Sequence, residues 1–105
     1  MKDLQEACHI MNEGEILNES NLEYPLYYGI IYGNKISSAK FSKRVSCSVK
    51  HMPLRLEFSF EYDTLKAIEN GITKDPTLVL EGEIFLEGLV QAEEITKAFQ
   101  RKLNE

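Results

Sequence analysis

The chain has 105 residues but no tryptophan, two cysteines, three prolines, six glycines and two histidines. Each scarcity excludes something. Cys8 and Cys47 lie far apart, so they make neither a disulfide framework nor a Cys-x-x-Cys pair, and a reducing cytoplasm is the expected location. His9 and His51 are equally separated, and the adjacent Cys8-His9 pair is not a ligand set, so no metal site is expected. The glycines form no phosphate-cradling loop, and no nucleophile elbow or His-based triad pattern occurs. No apolar run approaches the about 20 residues of a membrane span, and residues 1–6 are polar and acidic without a signal-peptide core. A net charge of −5 disfavours nucleic acid, which demands clustered cations.

What is present is enough for one domain. At 43% hydrophobic and 28% charged residues, the composition is that of a globular chain able to bury a core. Leu4, Cys8 and Met11 recur at helical spacing, followed by a loop around Gly14 and residues 18–21. Residues 25–32, Pro-Leu-Tyr-Tyr-Gly-Ile-Ile-Tyr, carry no charge and read as a central strand covered on both faces. Phe41, Val45, Val49 and Met52 predict a helix over 37–51, which Pro53 stops. Leu54, Leu56, Phe58, Phe60 and Tyr62 alternate with polar residues, the pattern of a strand near a sheet edge. Asp63 then caps a short helix carrying Leu65 and Ile68, with Gly71 at its stop. A hairpin turns at Glu81-Gly82, and a last helix runs from about 91 to 103, acidic at its start and basic at its end. Strand–helix–strand connections make the first two strands parallel, and the hairpin is antiparallel.

The order helix, then β-α-β-α-β-β-α, with Asp75-Pro76-Thr77 leading into the hairpin, resembles the small thioredoxin/glutaredoxin-like proteins. The resemblance covers residues 25–105 and implies an α/β thioredoxin-like fold, a four-stranded mixed sheet flanked by helices. Residues 1–24 are then an N-terminal helix and loop extension, serving as a cover for the sheet or as a dimer arm. The resemblance also implies a cis Asp75–Pro76 bond facing the tip of the helix that begins near Ser37, although on residues alone Pro76 equally reads as a trans strand-start proline. The family carries Cys-x-x-Cys at that tip. Here Lys35 and Ser38 stand in those places, or Asn34 and Ser37 in a register slipped by one. Disulfide exchange needs a thiolate, so the dithiol mechanism is excluded.

The candidate groove is accordingly Lys35, Ser37, Ser38, Pro76 and Thr77. Serines at a helix start are ordinary N-caps, and the functional alternative is that free N–H groups there hold an anion such as glutathione. Cys47 shares a helix face with Lys40, Lys43, Arg44 and Lys50, and neighbouring cations favour a thiolate, so Cys47 is a candidate reactive thiol. It lies about 13 Å along the helix from Ser38 at 1.5 Å per residue, too far to act at the tip. The plainer reading is an inert cysteine on a solvated basic face, and Cys8 reads as a small buried hydrophobe. Lys40, Lys43, Arg44 and Lys50 also form a candidate contact face for an acidic partner. Tyr24, Tyr27, Tyr28 and Tyr32 read as core rather than as a partner surface. Together these features lead us to expect a redox-inactive protein-interaction or assembly module with no cofactor, binding a protein partner or a second copy of itself. A glutathione- or monothiol-dependent activity using Cys47, Cys8 or Ser38 is the alternative.

Overall fold

The structure is a computed structural model describing residues 10–105. Five strands form one mixed sheet in the order β1-β3-β2-β4-β5. They are β1 (Ile16–Leu17), β2 (Leu26–Tyr32), β3 (Arg55–Glu61), β4 (Thr77–Leu80) and β5 (Glu83–Glu87). Three helices complete the described residues: α1 (Lys35–Val49), α2 (Thr64–Glu69) and α3 (Ala92–Leu103). The chain is therefore α/β, as expected, with five strands rather than four. The extra strand lies in the segment read as helix and loop, where Ile16 and Leu17 pair antiparallel with Glu57 and Leu56. Two residues are too short a run for periodicity to reveal. The helix expected around Leu4 and Cys8 falls outside the described residues, but Met11 is buried in the main core.

The central strand β2 pairs parallel with β3, from Leu26 opposite Arg55 to Tyr32 opposite Glu61. On its other side it pairs antiparallel with β4. The β4–β5 hairpin turns at Glu81 (φ 52°) and Gly82 (φ 84°), both left-handed, as a two-residue type I′ connection requires. Gly29 lies inside β2 because Leu78 comes so close that an added Cβ would stand 3.0 Å from its Cδ1.

One face of the sheet holds the main core. Ile31, Leu56, Phe58, Leu78 and Leu80 point into it, against Phe41, Val45 and Val49 of α1 and Ile95 and Phe99 of α3. Phe99 meets Phe85 edge to face, with centroids 4.9 Å apart. The polar Ser38, Ser42 and Ser46 are buried along α1 beside the expected apolar stripe. Ser42 and Ser46 donate their hydroxyls to the carbonyls of Ala39 and Lys43, which satisfies them without water.

The opposite face has a thinner cover. Tyr32, Ile72 and Val79 are buried there, with Ile30 and Ala67 packed against them. Helix α2 buries none of its own residues, and Leu65 and Ile68 are 69% and 63% exposed. The expectation that β2 is covered on both faces is thus corrected: Tyr28 is 54% exposed. Of the four tyrosines read as core, Tyr32 is buried and Tyr24 and Tyr27 are half-buried.

Candidate functional site

Three segments meet at the start of α1: residues 33–38, the turn before β4, and Leu89 after β5. Asn34 is the N-cap, with extended backbone, and its Oδ1 accepts the Ser37 amide at 2.8 Å. Asp75 faces it from the other segment. The Asp75 carboxylate accepts from the Asn34 amide at 3.1 Å, from Asn34 Nδ2 at 2.9 Å and from the Ser37 hydroxyl. The chain thus supplies its own anion to the helix N-terminus, where the backbone dipole favours one. Gly33 makes this closeness possible. With φ at 153°, a Cβ there would overlap the Asp75 carboxylate and stand 3.2 Å from Pro76 Cα.

The Asp75–Pro76 bond is cis, the geometry that the thioredoxin resemblance implies. The groove itself differs from the one expected. Ser38, Pro76 and Thr77 are buried, which leaves exposed Lys35 and half-buried Ser37 as the reachable members of the five. Thr77 is paired with Tyr32 on one side and with Glu87 on the other, and the Pro76 carbonyl accepts from the Gly88 amide at 2.7 Å. No edge of that backbone is left for an added peptide strand. Ser38 sits inside with no partner for its hydroxyl. A substrate thiolate therefore has no route to Ser38, and the anion seat at the helix start is already filled by Asp75.

On the Leu89 side of the tip lies a shallow depression of about 460 Å³ lined by Asn34, Lys35, Ile36, Ser37, Lys40 and Leu89. Ile36 is 72% exposed and Leu89 40% exposed. Reading the sequence singled out neither, although a signal was there: Ile36 falls out of phase with the Phe41/Val45/Val49 stripe, so it has to point away from the core. Lys35 lies over the Tyr62 ring, its Nζ 5.8 Å from the centroid.

The basic face is divided by structure. Lys40 and Lys43 are exposed, whereas Arg44 reaches across to donate to the carbonyls of Leu89 at 3.2 Å and Val90 at 2.8 Å. Arg44 is a tie between α1 and the approach to α3, and Lys50 is half-buried. Cys47 is exposed on this face but disulfide-bonded. The expectation of a free reactive thiol is corrected accordingly: a disulfide sulfur is no nucleophile until it is reduced. The chain's other cysteine, Cys8, lies outside the described residues. Comparison with protein-family models, with curated proteins and with solved structures returns no match.

Proposed function

We propose that this chain is a redox-inactive, thioredoxin-like interaction module that holds a protein partner, or a second copy of itself, at the tip of α1. The observation that carries this reading is the exposed apolar pair Ile36 and Leu89, set beside Lys35 and Lys40 on a helix tip where Asn34 and Ser37 are already engaged by Asp75 and by each other. Such a surface offers contact area rather than chemistry. It has no thiol, its buried Ser38 is out of reach, and its anion seat is occupied by Asp75. A glutathione- or monothiol-dependent activity draws no support from this geometry.

No helix among the described residues is long and apolar enough to cross a membrane. The cytoplasm remains our proposed location, although the disulfide at Cys47 pulls against a strongly reducing compartment, where such bonds are rare. Location is thus tied to the redox state of that residue.

A photo-crosslinking amino acid placed at Ile36 in the producing cell tests the reading. The expected result is a discrete crosslinked species, to another protein or to a second copy, that disappears when Leu89→Glu is added. No crosslink at Ile36, or turnover of a disulfide or glutathione substrate by the purified chain, would overturn it.

A further inference from the structure

A second site lies on the other face of the sheet. β2 and β3 are parallel neighbours, yet the chain leaves them in opposite directions. After β2 it enters α1, on the face of the main core, and after β3 it enters α2, which packs Ala67 against the opposite face. Where adjacent parallel strands send their connections to opposite faces, a crevice opens beyond their carboxyl ends, and open α/β sheets bind ligands there. This chain has a cavity of about 510 Å³ at that place, between the ends of β2 and β3 and helix α2. That volume suits a small organic molecule.

The lining decides which molecule. Tyr32 and Ile72 are buried beneath it, while Tyr62 and Ile68 are exposed beside it. Three carboxylates line it, Glu61, Asp63 and Asp75, against one ammonium, Lys74. Glu61 is engaged by Lys66 at 3.8 Å. Asp63 and Asp75 are different: their hydrogen-bond donors are neutral, the Leu65 amide for the one and Asn34 and Ser37 for the other. Among the described residues no cation stands within ion-pair distance of either. Neutral donors and a helix N-terminus offset the charge of such a carboxylate only in part, so net negative charge stays at the rim. Lys35, over the Tyr62 ring, is the other nearby cation.

We propose that this cavity binds a small organic cation, an aromatic body carrying a protonated amine. The ring lies against Tyr32, Tyr62 and Ile72, and the ammonium turns to the rim that carries Asp63 and Asp75. Aromatic faces and unpaired carboxylates both attract such a ligand, and partial enclosure strengthens the attraction over that in bulk water. The site is independent of the partner surface at Ile36 and Leu89, and neither reading needs the other.

The test is a backbone-amide NMR titration of the full chain with tryptamine, with indole-3-propionate as the oppositely charged match and 3-ethylindole as the neutral one. Tryptamine is expected to shift amides of residues 32–34, 61–64 and 71–75, to bind several-fold more tightly than 3-ethylindole, and to weaken in high salt. Indole-3-propionate is expected to bind least. Asp63→Asn keeps the α2 cap, because asparagine caps as well as aspartate; it should lower tryptamine affinity several-fold and leave 3-ethylindole unchanged. Ala67→Phe, which fills the cavity, should abolish binding of both, with the dispersed spectrum reporting that the fold is intact. Equal binding of the three probes, preference for the carboxylate, shifts confined to other residues, or no shifts at millimolar tryptamine would each overturn the proposal.

Discussion

Asp75 does at the residue level what a bound anion does in an open helix-tip site. Its carboxylate ties residues distant in sequence through Asn34 and Ser37, and Gly33 leaves room for it. Hydrogen bonds to a charged acceptor contribute more than neutral ones, but Asp75 is exposed, so solvent screens part of the gain. Asp75→Ala is expected to lower unfolding free energy by about 1–2 kcal/mol in denaturant titration. Gly33→Ala should do at least as much damage, since its Cβ displaces the same carboxylate. An Asp75→Ala variant as stable as the parent would mean that water replaces all three contacts at no cost. Ser38 gives the opposite expectation. Its hydroxyl is buried without a partner, and an unmet buried donor costs about 1–3 kcal/mol. Ser38→Ala should therefore leave stability unchanged or raise it by about 1 kcal/mol, read as a higher melting temperature. A clear loss would show that the hydroxyl has a partner after all, a buried water being the obvious one.

At the scale of elements, α1 and α2 differ in what holds them. α1 buries six of its side chains, whereas α2 buries none and is fixed by its Asp63 cap and by Ala67 resting on the sheet. Local opening is easiest where little apolar surface is lost. Amides of α2 are expected to exchange with deuterium at least an order of magnitude faster than those of α1 and α3; equal protection across the three would show that the sheet's second face is better packed than its exposures imply. This contrast also marks what the sequence made legible. The hairpin, the parallel β2–β3 pair, the Asp63 cap and the Phe41/Val45/Val49 stripe were all readable, because alternation, turn residues and helical spacing are local signals. Buried Ser42 and Ser46 were not, since a serine that bonds back to its own helix looks polar in any hydropathy pattern. Nor did the uncharged run of β2 reveal that Tyr28 faces solvent, because burial of its second face depends on how much of the sheet α2 covers. At the candidate site the helix was expected from Ser37 and begins at Lys35, and Pro76 precedes β4 as a cis proline but is buried. Asp75 as the group filling that tip was missed, because its role arises only when two distant segments meet.

The whole molecule is a sheet with one thick side and one thin one, and its stability should divide in the same way. On the thick side Phe99 is fully buried from α3, against Phe85 and within the core that α1 shares. Truncation there loses transfer free energy and leaves a cavity that rigid neighbours cannot close. Phe99→Ala is expected to lower unfolding free energy by about 3–5 kcal/mol, a large part of what holds together a domain of this size. On the thin side Tyr28 belongs to the central strand, yet more than half of its surface meets solvent. Tyr28→Ala should cost about 1 kcal/mol, mostly through lost strand propensity and the part of the ring that is covered. A central strand is ordinarily the least forgiving place in a sheet, so the comparison is diagnostic. If Tyr28→Ala proves as damaging as Phe99→Ala under the same denaturant titration, something covers the thin face in solution. Repeating that titration over a range of protein concentrations identifies a second copy as the cover, because only self-association makes the midpoint depend on concentration.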